Sequence, residues 1–287
     1  MSRYRFALRP KWILSHIFVL TMVVVMINLG LWQINRLHEK RDRNADVTAR
    51  TDQPVAEAAD LAEPGDFDGA TTLEFRRATA TGTYLADQQV LIRARSRDSA
   101  PGSWVMTPLQ LEDGTVLVVN RGWISNGGEF EAVPDQYAAP SGTVTATGLV
   151  RKTETRGSFG PKDPATGTLE NLARADVARI DQQLDADVLP FYLQLQEQDP
   201  AITTADPRVV PAPELDEGPH LSYTVQWFAF SAMTVVFYVL ILRRRAREIE
   251  REEKDAELDR ADPDDAPVDG DPRLDAGASP TPGDTSS

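Results

Sequence analysis

No cysteine occurs in this 287-residue chain. That excludes a disulfide framework, a thiolate metal site and a Cys-x-x-Cys redox pair, so the fold is held by core packing alone. Histidine is almost as scarce, with only His16, His38 and His220. A three-histidine zinc site would have to use all of them. There is no basic stripe with interleaved aromatics, and the formal net charge is −14. Both argue against a nucleic-acid partner. A nucleophile elbow, a phosphate loop, a paired-acid motif and a recognisable Ser/His/Asp pattern are all missing, so an enzyme is not indicated. No internal repeat is found.

What the chain does have is two long uncharged runs, one in each terminal region. Residues 1–11 carry Arg3, Arg5, Arg9 and Lys11 with no acid, and residues 12–35 then hold no charge apart from the ionisable His16. A signal peptide is the alternative reading, but its apolar core spans about 7–15 residues and ends at small residues. This run is longer and ends in Leu29-Gly30-Leu31-Trp32-Gln33. An uncleaved transmembrane helix is therefore expected over 12–35. The second run, 221–242, follows His220 and stops at Arg243, Arg244 and Arg245. At about 1.5 Å per residue it reaches roughly 33 Å, enough to cross a bilayer core.

Orientation follows from the lysine and arginine bias. The first run is undecided, because Arg36, Lys40, Arg41 and Arg43 follow it. The second is decisive: Arg243, Arg244, Arg245 and Arg247 lie beyond it, and no lysine or arginine lies between Val209 and His220. Both termini are expected in the cytoplasm, with residues 36–220 outside. That segment is long enough for one domain with a sizeable core. Residues 44–72 are rich in Asp, Ala, Thr and Pro and read as a polar linker with room for one short helix. Strands are expected at 74–82, 89–95, 103–111, 115–124, 142–151 and 189–196, the Asp113-Gly114 step marking a hairpin. Residues 169–184 place Leu172, Val177, Ile180 and Leu184 at helical spacing. The fold class is thus a membrane protein in which two transmembrane helices flank an extracytoplasmic β-rich (α+β) domain, an antiparallel sheet or small barrel. Five prolines in 197–219 imply a stiff, extended approach to the second helix. Residues 243–287 form an acidic cytoplasmic tail; 248–257 can prolong the helix, and 261–287 are expected to be disordered.

At 100° per residue, Leu29, Trp32, Gln33, Arg36 and Lys40 share one face of the first helix. An interfacial anchor explains Trp32, Arg36 and Lys40. It explains Gln33 less well, since an amide near lipid seeks a partner. On the second helix His220, Tyr223, Trp227, Ser231, Thr234 and Tyr238 share a face, which is expected to pack on the first helix or line a pocket at its outer end. For Ser231 and Thr234, ordinary helix–helix hydrogen bonds suffice. His220 is open to two readings, aromatic-belt neighbour or metal ligand, since a neutral imidazole at a membrane rim can ligate haem iron. His38 falls on the same outer side, whereas His16 lies towards the cytoplasm, which removes the three-histidine site. In the outer domain Asn120-Arg121-Gly122-Trp123 stands out. A structural account has Gly122 permitting a bulge and Trp123 capping a sheet edge. A functional one uses Arg121 for a carboxylate.

These pieces together resemble the Surf1 (surfeit locus 1) family, cytochrome c oxidase assembly factors, in its bacterial form. They are Leu-Gly-x-Trp-Gln-x-x-Arg-x-x-x-Lys at 29–40, an Arg-x-x-x-x-Gly-x-Tyr-like strand at 77–84, and 102–108. Val119-Asn120-Arg121-Gly122-Trp123, Gly148-Leu149-Val150-Arg151 and His220-Leu221-Ser222-Tyr223-x-x-Gln226-Trp227-Phe228 follow in order. The resemblance implies a bacterial cell-membrane protein that helps deliver haem a to the core subunit of an aa3-type oxidase. That subunit and haem a synthase would be its partners, with membrane lipid around the helices. It implies His220 as the haem-iron ligand, with Trp32 and Arg36 as the matching first-helix residues and Tyr223 and Trp227 beside them. Arg36 and Arg121 could pair with the haem propionates, since guanidinium binds carboxylate bidentately. His38 lies outside the family pattern; a second-ligand role for it rests on its position alone. The competing reading is a membrane-anchored scaffold that binds oxidase subunits without carrying haem.

Overall fold

The computed structural model describes residues 4–67, 69–125 and 130–261. Its elements in chain order are α1 (Pro10–Thr51), β1 (Ala56–Glu57), β2 (Arg77–Tyr84), β3 (Val90–Ile92), β4 (Gly102–Leu111) and β5 (Val116–Ser125), then β6 (Thr143–Lys152), β7 (Asn171–Leu172), α2 (Val177–Asp181), β8 (Val188–Asp199) and α3 (His220–Ala261). Two compact units emerge: Met1–Ile34 with Pro219–Ser287, and Asn35–Gly218.

In the first unit α1 and α3 are each long and apolar enough to cross a membrane. Two such helices flanking a central domain are the arrangement of a membrane protein. They run antiparallel. Near the N-terminal end of α1, the Tyr238 hydroxyl lies 2.6 Å from His16 Nδ1 and 3.0 Å from Ser15 Oγ. Further along, Gly30 leaves room for the Phe228 ring, which a Cβ there would meet at 3.0 Å. Gln33 then meets His220. Small residues and cross-helix polar contacts are what hold helices together where burial from water offers little drive. Ser231 departs from the expected helix–helix bond: its hydroxyl donates to the Trp227 carbonyl of its own helix, at 2.9 Å.

The second unit is the β domain. Its main ring runs β2–β6–β8–β5–β4 and closes through a further β2–β4 pairing, in which Gly82, Thr83 and Tyr84 face Leu111, Gln110 and Leu109. Four junctions of the ring are antiparallel, and β5–β8 is parallel. This is a small Greek-key barrel rather than a purely antiparallel sheet. Alternation along β2 turns Ala78 and Ala80 into the core and Thr79 and Thr81 outward. Those threonines meet Thr147 and Thr145 of β6 at 3.1 and 2.9 Å. Leu189, Phe191, Leu193 and Leu195 of β8 fill one core, and Val188 and Tyr192 enter a second beneath α2. β8 is buried on both faces, which its parallel junction with β5 requires. The β4–β5 turn is the expected hairpin: Gly114 has φ +88°, and Asp113 Oδ1 accepts from the Thr115 N–H.

Two expectations need correction. The first helix does not end with its apolar run: residues 36–51 continue it into the β domain, where Arg50 and Thr51 donate to the carbonyls of Glu74 and Phe75. Residues 44–51 are therefore helix, and the linker begins after them. The helix expected over 169–184 shrinks to α2, because Leu172 pairs with Ile92 as a strand and only Asp176 supplies an N-cap, accepting from the Arg179 N–H. The 197–219 segment, expected to be stiff and extended, is also tied down within its own unit. Arg208 exchanges two backbone hydrogen bonds with Trp123, the Gln194 amide donates to the carbonyls of Val210 and Pro211, and Arg41 grips Glu217 with two bonds of 2.8 Å. The disorder expected over 261–287 falls almost wholly outside the described residues.

Burial raises the pKa of Tyr84 and of Tyr192 to about 12 from an ordinary 10.0. Each folded phenol holds its proton while the unfolded one has lost it. The stabilisation is intact below pH 10 and disappears as pH rises towards 12, amounting to roughly 5 kcal/mol for the pair. In an alkaline titration two of the six tyrosines should form tyrosinate only as the β signal in circular dichroism is lost. All six ionising while the β signal persists would contradict it.

Candidate functional site

His220 opens α3, where the chain leaves the proline-rich segment and enters the apolar run. Its Nδ1 lies 2.8 Å from Oε1 of Gln33 on α1. The His220 carbonyl accepts from the Thr224 hydroxyl at 3.0 Å, which tightens the first turn. Nε2 has no hydrogen-bond partner among the described residues. Gln33 itself is 9% exposed. The amide that the anchor account left unexplained thus has a partner on the facing helix, and it is the residue that reading the sequence came nearest to missing.

The other expected site residues divide into those that remain available and those that are committed. Trp227 is half-buried two turns into α3, its ring edge-on to Phe230 at 6.2 Å between centroids. Tyr223 and Trp32 are 45% and 57% exposed. All three carry apolar ring surface on the helices that bear His220 and Gln33. Arg36 is exposed and paired only with Glu39, one turn further along α1, at 2.7 Å. An ion pair that open contributes little and exchanges easily. His38 is exposed and lies about 140° around the α1 axis from Gln33 at 100° per residue.

Arg121 is the clearest correction. It lies in the β domain, 6% exposed. Its guanidinium donates to Gln89 Oε1 at 2.8 Å, to the Tyr137 carbonyl at 2.9 Å and to the Ala138 carbonyl at 3.1 Å, and it stands over the Tyr84 ring. Burial lowers its pKa. The group is consumed by its own domain and has no fork left for a propionate. The bulge reading holds: Val105 pairs with Gly122 and Met106 with Asn120, leaving Arg121 as the extra residue. Trp123 is buried and donates from Nε1 to the Arg95 carbonyl, so it offers no open apolar face. Among the described residues no cluster of three His, Asp or Glu could hold a metal ion.

The model of the SURF1 family matches residues 20–232, which takes in most of both apolar runs and the whole barrel. An uncharacterized SURF1-like protein of Mycobacterium tuberculosis is 28% identical over 256 residues, covering 86% of this chain and 91% of that protein. A SURF1-like protein of Monosiga brevicollis is 30% identical over 248 residues, covering 79% and 87%. One from Rickettsia felis is 25% identical over 237 residues, covering 80% and 97%.

Proposed function

The chain belongs to the SURF1 family, generally oxidase assembly factors and not a known enzyme class, and from that premise we propose that it carries haem a to the core subunit of an aa3-type oxidase. The observation that supports this reading is the state of His220. One ring nitrogen is tied to Gln33, and the other meets no protein group among the described residues. Haem a is here cargo: a large, apolar, insoluble ligand with an iron that accepts an imidazole nitrogen and two carboxylates that seek cations. The residues fit it. His220 offers the nitrogen at the end of an apolar helix, and Trp227, Tyr223 and Trp32 offer ring surface. One exchangeable ligand suits a courier, which must release what it binds.

In this reading the arginines after the second run lie in the cytoplasm, the barrel lies outside a bacterial cell membrane, and His220 is at the outer rim. The core subunit receives the haem, and haem a synthase supplies it. The test is to express the protein where haem a is made, purify it and record its visible spectrum. Haem a should co-purify, and His220→Ala should lower the haem per protein at least tenfold. An unchanged haem signal in His220→Ala removes His220 as ligand. A colourless wild-type protein that still brings down an oxidase subunit establishes the scaffold reading instead.

A further inference from the structure

We propose that Gln33 is the positioning residue for His220, holding its imidazole in the tautomer protonated at Nδ1 so that the Nε2 lone pair faces outward. This rests on the reading of His220 as an iron ligand, and it concerns what makes that nitrogen available.

The argument begins with what an amide oxygen can do. It only accepts hydrogen bonds. Gln33 Oε1 stands 2.8 Å from His220 Nδ1, so that nitrogen must carry the proton. The neutral ring has a single N–H, and Nε2 is left with its lone pair. Were the proton on Nε2, two lone pairs would face each other across 2.8 Å. With Gln33 at 9% exposure, its side chain has little access to water. Leaving a buried acceptor unmet biases the tautomer equilibrium by a factor of roughly ten to a hundred.

His16 provides the contrast within the same helix pair. There the Ala7 carbonyl faces Nε2 at 3.2 Å, and the Tyr238 hydroxyl faces Nδ1 at 2.6 Å. The Tyr238 hydroxyl donates to Ser15 Oγ at 3.0 Å, and each nitrogen of His16 meets a protein group. Of the two histidines that make contacts across the helix pair, His16 and His220, only His220 keeps a nitrogen free of protein partners among the described residues. Position adds to this. Gln33 follows Trp32 in a run with no other buried amide on the face that meets α3, and His220 is the first residue of its helix. An amide placed there has one evident partner and meets it. Metal-binding histidines are commonly fixed in this way, through an acceptor on the nitrogen that does not touch the metal, and loss of such an acceptor costs about 10–100-fold in metal affinity.

With three histidines in the whole chain, the test is direct. The full-length protein, labelled with nitrogen-15 at histidine and held in nanodiscs at mildly alkaline pH, reports each tautomer from its two ring-nitrogen shifts. His220→Ala assigns the signals of interest. Wild type should show His220 protonated at Nδ1. Gln33→Met should move His220 towards the Nε2-protonated form and leave His16 as it was, which also shows that the helices still pair. Gln33→Glu, whose carboxylate also accepts, should restore the Nδ1 form. A wild-type His220 already protonated at Nε2, as it would be if the Gln33 amide N–H donated to Nδ1, overturns the proposal. So does a tautomer that Gln33→Met leaves unchanged. In a second arm haem a is titrated into the same samples and followed by absorbance. Affinity should fall 10–100-fold in Gln33→Met and recover in Gln33→Glu. If haem a binds to none of the samples while the tautomers behave as described, the carrier reading fails and the role of Gln33 in setting the tautomer stands.

Discussion

Gly122→Ala is expected to lower the stability of the β domain by about 3–5 kcal/mol, a large part of the total for a domain of this size. Two independent costs meet at this residue. Its φ is +142°, a conformation that side chains rarely adopt. A Cβ there would also stand 2.5 Å from the Arg208 carbonyl oxygen and 2.8 Å from its carbon. Neither atom is the end of a flexible side chain. Arg208 is fixed to Trp123 by reciprocal backbone bonds of 2.7 and 2.8 Å, so relief of the clash must break both. Gly114→Ala separates the two costs, since Gly114 has φ +88° with nothing within 4 Å of its added Cβ. It should cost about 1 kcal/mol, the price of backbone conformation alone. Denaturant midpoints of the full chain in detergent, at unchanged slope, would measure both variants. Equal losses would show that the contact with Arg208 contributes nothing.

Arg121→Met should cost about 2–4 kcal/mol, because it abandons the acceptors Gln89 Oε1, Tyr137 O and Ala138 O around a buried site. Arg121→Lys should recover only part of this. A single ammonium on a flexible stem cannot reproduce a planar fork that reaches a side chain and two successive carbonyls. The functional readout separates this role from propionate binding. Haem a bound per folded protein should be the same in Arg121→Met as in wild type, although the midpoint falls. A loss of haem from protein that remains folded would return Arg121 to the binding site.

Features that depend on local pattern were legible in the sequence. The two apolar runs, the Asp113-Gly114 hairpin and the bulge at Gly122 all follow from composition or spacing within a short window. What escaped depends on partners distant in the chain. The alternation in β2 marks a strand, but nothing in it says that residues 82–84 meet 109–111 and shut the ring. β8 reads as one alternating strand, and its parallel neighbour β5 became identifiable only once the order was known. The helix expected over 169–184 failed because Leu172 obeys a helical period while satisfying a two-residue bridge to β3. α1 outran its apolar stretch because Leu37 and Val47 are buried in the β domain's unit, an amphipathic continuation hidden by a polar composition. Arg121 looked like a ligand-binding cation because its acceptors, a glutamine and two carbonyls from separate loops, leave no mark in its own motif. Gln33 was noticed as an oddity, and only the facing helix supplied its reason.

The parallel junction in the ring has a kinetic consequence. Val116 of β5 pairs with Val188 of β8, so the edge of β5 has no partner until nearly the whole domain has been synthesised. Contacts between such distant residues are slow to form, because a long loop must be closed before any of them is gained. Until then Val116, Val118 and Val119 lie along an open apolar edge, the kind of surface that invites aggregation or a holding chaperone. The strand that ends this exposure is the last one before α3. In the growing chain, closure of the ring therefore comes just ahead of the helix that carries His220.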